Sequence, residues 1–135
     1  MGKKKPVRPA GSKAEFEYVT SAVSLLDHDG IVVHVVNDSP VIRTARVVIY
    51  QNTGAGAVTA SDSGMINVAA TWNWGLGYTV STSGEYWLRI QTSSQFLIPK
   101  ASFERLEKSV WIPVVSYRPG DFAIFKVKPT RKRLW

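Results

Sequence analysis

The sequence predicts an all-β fold: a single antiparallel β-sandwich, jelly-roll or immunoglobulin-like, of eight or nine short strands with basic extended termini. Three observations predict it. Clusters of Gly, Asn, Asp and Ser punctuate the chain every 8–12 residues or so, the spacing of a sandwich or barrel. The segments between them alternate apolar and polar residues with period two. No helical pattern separates them, so nothing is present to carry a parallel crossover, and antiparallel meanders and Greek keys follow. A length of 135 residues fits one domain rather than two, and 44% hydrophobic content is enough for a packed core.

The elements can be justified in order. "FEYVTSAVSLL" (16–26) reads as a first strand and "DHDG" (27–30) as a turn. "IVVHVV" (31–36) is a second strand, closed by "NDSP" (37–40). In "TARVVIYQ" (44–51), Ala45, Val47 and Ile49 face one way and Arg46, Val48 and Tyr50 the other. "NTGAGA" (52–57) reads as a loop and "SDSG" (61–64) as a turn, followed by "MINVAA" (65–70). In "TWNWGLGYTVS" (71–81), Trp72, Trp74, Leu76, Tyr78 and Val80 share a face, with Gly75 and Gly77 opposite; this face is expected in the core, with Trp111 joining it. "EYWLRIQT" (85–92) should place Tyr86, Leu88 and Ile90 inside and Trp87, Arg89 and Gln91 outside. "QFLIPKASFERL" (95–106) and "VWIPVVSY" (110–117) are strands interrupted by Pro99 and Pro113, which marks edges or bulges. "SFERLEK" (102–108) is the one candidate helical turn. "RPGD" (118–121) has Pro and Gly placed for a type II turn, and "FAIFKV" (122–127) is the last strand.

Charge divides the chain into three parts: a basic N-terminal arm (1–13), a sandwich domain (14–127) and a basic C-terminal tail (128–135). The formal net charge is +7, but residues 1–13 and residues 126–135 each carry +5 with no acid. The 112 residues between hold seven bases and all ten acids, a balance of −3. A mildly acidic body with two cationic arms differs from a basic globule, because its field is split between regions of opposite sign. Pro6, Pro9 and Pro129 hold the arms extended.

Most chemistries find no support. With no Cys, disulfides, thiol catalysis and thiolate zinc sites are excluded. "DHDG" has two carboxylates and a Gly in the manner of a calcium loop, but an apolar strand follows where further ligands and a late Glu are needed. His28 and His34 lack a nucleophile elbow or an S-x-x-K box to act on, and His34 shares a strand face with Val32 and Val36 as a half-buried packing residue would. "NTGAGA" lacks the Lys and the helix of a phosphate loop. No apolar run reaches the length of a spanning helix. The basic start is not followed by the apolar segment of a secretory signal, and Pro6 breaks the myristoylation pattern. No catalytic residue, metal or cofactor is therefore expected, and no membrane insertion.

The candidate contact residues lie elsewhere. Trp87, outward and beside Arg89, suits a partner surface. In the arms, Lys3, Lys4, Lys5 and Arg8 at one end and Arg131, Lys132 and Arg133 at the other are candidate contacts to something acidic, with Trp135 as an apolar plug after the charged run. Three partners fit: nucleic acid held through its phosphates, another anionic polymer such as one of a cell surface, or the acidic body of a neighbouring copy.

At "SGEYWLRIQ" and "YRPGDFAIF" the chain resembles small uncharacterised bacterial β-sandwich proteins. In layout over about residues 16–127 it is similar to jelly-roll subunits of spore surfaces, surface filaments and viral particles. That resemblance implies assembly through exchanged terminal segments or strands, and a place in an external or particle-like assembly. The expected function is thus a non-catalytic, self-assembling structural protein, a homo-oligomer whose edges near Pro99 and Pro113 invite strand addition. The alternative is a binding module for nucleic acid through the arms, or for carbohydrate through Trp87 and the aromatics of 72–78.

Overall fold

The computed structural model describes residues 14–127. Over these the chain forms strands β1 (Phe16–Val19), β2 (Val23–Leu25), β3 (Gly30–Asn37), β4 (Arg43–Thr53), β5 (Gly56–Asp62), β6 (Ile66–Val68), β7 (Asn73–Thr79), β8 (Gly84–Thr92), β9 (Leu97–Glu107), β10 (Val110–Tyr117) and β11 (Ala123–Lys126), with a 3-10 turn over Pro119–Asp121. The protein is all-β, and every pairing is antiparallel. One sheet of seven strands runs β11-β1-β8-β4-β5, with β2 also on β8 and β6 also on β4; a second runs β10-β9-β3-β7.

The two sheets share one core, a sandwich-like arrangement dictated by period-two alternation. In β8 the odd-even pattern buries Tyr86, Leu88 and Ile90, and its neighbour β4 buries Ala45, Val47 and Ile49. From the other sheet, β3 contributes Ile31, Val33 and Val35, and β9 contributes Leu97, Ala101 and Phe103. Each large apolar side chain so removed from water contributes roughly 1.5–3 kcal/mol before entropy is counted. The chain keeps crossing between sheets, so only β4–β5 and β9–β10 are hairpins of consecutive strands. One buried polar knot closes an end of the core. The Asn37 amide donates to the carbonyls of Val41 (2.8 Å) and Val68 (2.9 Å) and accepts from the Ser39 hydroxyl (2.7 Å), so no polar group of that side chain is left unpaired.

Several expectations are corrected. The described residues form eleven strands, where eight or nine were expected. The stretch 16–26 is two strands because the ladder is half made at Thr20: its backbone N–H donates to the Leu88 carbonyl (3.1 Å), but its hydroxyl, in place of its backbone carbonyl, accepts the Leu88 N–H (3.0 Å). The loop at 52–57 shrinks to Gly54-Ala55, since β4 runs to Thr53 and β5 starts at Gly56. The stretch 102–108 is strand and turn, not a helical turn. "RPGD" is a 3-10 turn and not type II, as Gly120 is not among the residues with positive φ. The Asp121 carboxylate accepts from the Arg118 N–H (2.9 Å), a cap that this turn rewards. Pro113 does sit on an edge strand, beside a bulge at Val114. Pro99 lies on β9 beyond Ala101, the last β9 residue that β10 reaches, so there the strand pairs with β3 alone and its other side is a local edge.

Candidate assembly surface

On the outer face of the seven-stranded sheet, cross-strand register places Trp87 opposite Tyr50 and Arg89 opposite Val48 and Val19. Trp87 and Arg89 both face outward, half-buried. The Trp87 ring is not bare: it stacks on Tyr50 with centroids 4.3 Å apart and planes 20° apart, and its indole N–H donates to the Asn52 Oδ1 (2.9 Å). The Arg89 guanidinium lies 5.5 Å from the centre of the same Tyr50 ring, and its Nε is 3.9 Å from a Glu17 oxygen. The other Glu17 oxygen accepts from the Gln91 amide (2.9 Å). This is a cross-strand ladder of stacking, cation–π and ion-pair contacts, in which the Arg89 Nε is buried without a hydrogen-bond partner.

The opposite side of the molecule is built differently. The two sheets end there in the edge strands β10 and β11. Along β10, Val110, Trp111, Ile112 and Val114 are all 40–59% exposed, without alternation, and on β11 Ile124 and Phe125 are just over half exposed. Leu106, beside Trp111 in the β9–β10 register, joins them. Large apolar residues gathered on neighbouring edges are the usual mark of a contact surface. The Pro113 bulge obstructs backbone pairing along β10, so that edge is suited to side-chain contact rather than strand addition.

Trp111 also walls a groove on the outer face of the four-stranded sheet. Its six-membered ring lies over Gly30, where a Cβ would come within 3.2 Å of it. Gly30, Gly77 and the neighbouring backbone form the floor, Val32, Thr79 and Glu104 line the sides, and the groove encloses about 270 Å³. Over Gly77 the space is open, since a Cβ there would meet nothing. Further along this face the His34 ring packs against Gly75; its Nδ1 and the Ser102 hydroxyl are buried with no partner.

Charge is sorted between the two ends of the sheets. One pole carries the connections from β2 to β3, β7 to β8 and β9 to β10, and there Asp27, Asp29, Glu85, Glu104 and Glu107 outnumber Arg105 and Lys108. Asp29 is the anchor of this pole. It is 3% exposed, accepts from the Leu26 N–H (2.7 Å), and receives Nε and Nη2 of Arg105 at 3.1 and 2.8 Å. The Arg105 guanidinium, ahead of the Leu26 bond, holds its carboxyl below the ordinary carboxylate range. The residue expected to mark a turn therefore builds it, and its charge is taken up by an arginine. At the opposite pole the two limits of the described chain lie side by side: the Glu15 N–H donates to the Thr92 carbonyl (2.7 Å) and the Val127 N–H to the Glu15 carbonyl (2.8 Å). The described residues that border the two basic arms thus lie at one pole, with Glu15 and Asp38, while Asp27, Asp29, Glu85, Glu104 and Glu107, half of the ten acids, lie at the other.

Of the residues singled out from sequence, the structure brings Trp87 and Arg89 together. Lys3, Lys4, Lys5, Arg8, Arg131, Lys132, Arg133 and Trp135 lie outside the described residues. Trp74, Leu76 and Tyr78 pack against the core and Val80 is buried, whereas Trp72 is 65% exposed and Trp111 faces outward; those two were expected inside. Among the described residues no three His, Asp or Glu side chains converge as a metal set. Sequence reasoning missed the exposed row on β10, and the signal was present: "VWIPVV" is apolar without a break, yet its proline bars it from the centre of a sheet.

No family model matches this chain, and no curated protein matches it. Among solved structures the chain is similar to the crystal structure of Thermotoga maritima 1070, with a TM-score of 0.52 over 79% of this chain and 96% of that one, at 9% sequence identity. At that identity the likeness concerns the fold alone.

Proposed function

We propose that this is a non-catalytic structural protein that assembles with copies of itself, a jelly-roll-like subunit whose basic arms reach across neighbours. One observation carries the reading: the apolar side chains of β10 and β11 stand exposed along two adjacent sheet edges, an arrangement that water disfavours and a second copy would cover. Light scattering and electron microscopy of the purified protein test it. Mass should rise with concentration, and Ile112→Lys with Phe125→Lys should return the protein to monomers with an unchanged circular dichroism spectrum. A wild-type protein that stays monomeric at every concentration overturns the proposal.

A second reading, a polyanion-binding module, is favoured by the convergence of residues 14 and 127 at one pole, which concentrates both basic arms there. Salt separates the two readings. Nucleic acid held by about six arm cations should lose affinity with a log–log slope near −5, while contact through β10 and β11 should hardly weaken.

A further inference from the structure

We propose that the Trp111 groove receives Trp135 of a neighbouring copy, so that subunits join head to tail. The inference rests on the assembly reading and names the contact. The groove suits an aromatic ring. Its floor is backbone and glycine, flat and open over Gly77, and one wall is an indole already edged against Gly30. A second indole laid on that floor meets the Trp111 ring in one of the offset or edge-on arrangements aromatic pairs prefer.

Charge selects the same segment. Arg131, Lys132 and Arg133 precede Trp135 by two to four residues. Glu104 lines the groove, and Asp27, Glu85 and Glu107 lie at the same pole. A cationic run entering with its indole therefore meets carboxylates, and opposite potentials of this kind guide encounter and fix orientation.

Geometry then selects the copy. Val127 lies at the pole opposite the groove. Residues 128–135 span at most about 26–29 Å when fully extended. The rise from the level of Leu97 to that of Glu104 is about 23 Å and the sheets stand about 10 Å apart, so a straight line through the core is about 25 Å and nearly exhausts that reach. The path must also pass around the β11–β10 edge to reach an outer face. One chain does not fill its own groove, which leaves a neighbour as the donor. Donor and acceptor sit at opposite poles, so the contact is heterologous and repeats into a chain or a ring.

The test uses the full chain and sedimentation velocity at low ionic strength. Trp135→Ala removes the donor. Gly77→Ile fills the groove without a clash, since its Cβ site is empty and its backbone unstrained. Each should weaken association at least tenfold while circular dichroism stays unchanged. The double variant should be no weaker than either single one. Mixing the two single variants should restore one complementary contact, because one retains the groove and the other the tail. Glu104→Arg should weaken association too, and Arg133→Glu should restore it in part. If the wild-type protein assembles and both Gly77→Ile and Trp135→Ala associate as it does, the groove assignment fails and the assembly reading stands. If the wild-type protein does not assemble, both fail.

Discussion

Trp87 and Trp111 both stand outside the core, Trp87 by alternation with buried Tyr86 and Leu88 and Trp111 on a run exposed throughout, and they end in opposite circumstances. Trp87 sits on a central strand of the larger sheet, flanked by β1 and β4, and its neighbours supply a stacked ring and an amide acceptor. Trp111 sits on an edge strand with a neighbour on one side only, and its six-membered ring lies over Gly30. An outward tryptophan is a candidate contact residue only when the strands beside it fail to cover it. Position within the sheet decides this, because a central strand has two neighbours to furnish partners and an edge strand has one.

The contrast can be strained at three points, in falling order of effect. The largest concerns the turn that anchors the Trp111 side. Asp29→Ala removes the acceptor of the Leu26 N–H and strands the Arg105 guanidinium, and should cost about 2–3 kcal/mol in urea unfolding. An unchanged midpoint would show that the acidic pole does not depend on this pair. Next, Trp87→Ala should cost about 2 kcal/mol through the lost stack and indole hydrogen bond, and Trp111→Ala under about 1 kcal/mol, as expected of an exposed site. The reverse order in the same denaturation series would break the comparison outright.

The smallest effect is a pH dependence. Asp29 is held below the ordinary range by Arg105, and Asp62 is held at about 2 by the Arg46 guanidinium and then by the Gly64 N–H. Both carboxyls bind protons more tightly when unfolded. Their contribution is therefore complete above about pH 4 and disappears as the pH falls through the lower folded values. Melting temperature measured from pH 5 down to pH 2 should fall over that window, less so in Arg46→Leu. A flat profile would remove both pairs from the account. Since Asp62 lies on the solvent-facing side of its sheet, its share is small.

The parts of the fold legible in the sequence are those where one face alone decides the pattern. Residues 85–92 and 44–51 alternate because β8 and β4 are central strands with the core beneath one face. Legibility fails where a side chain replaces a backbone partner or where both faces share one environment. The Thr20 hydroxyl substitutes for a rung of the ladder and cuts 16–26 in two. The Asp121 carboxylate stabilises a 3-10 turn that Pro119-Gly120 alone argues against. On β10 an unbroken apolar run resembles a buried strand, and only the register showing it at an edge reveals that the run is exposed. The groove was not legible at all: Gly30, Gly77 and Trp111 lie far apart in sequence and meet only through the β7-β3-β9-β10 order.

The pairing of Glu15 with Val127 has a use in the laboratory. A short peptide joining those neighbouring positions would close the body into a loop without disturbing either sheet, and Gly54-Ala55, an exposed tip remote from that joint, is where the loop could be reopened. Such a permuted protein would keep the sandwich and its glycine-floored groove while lacking both cationic arms, giving an acceptor-only molecule for capping a growing chain.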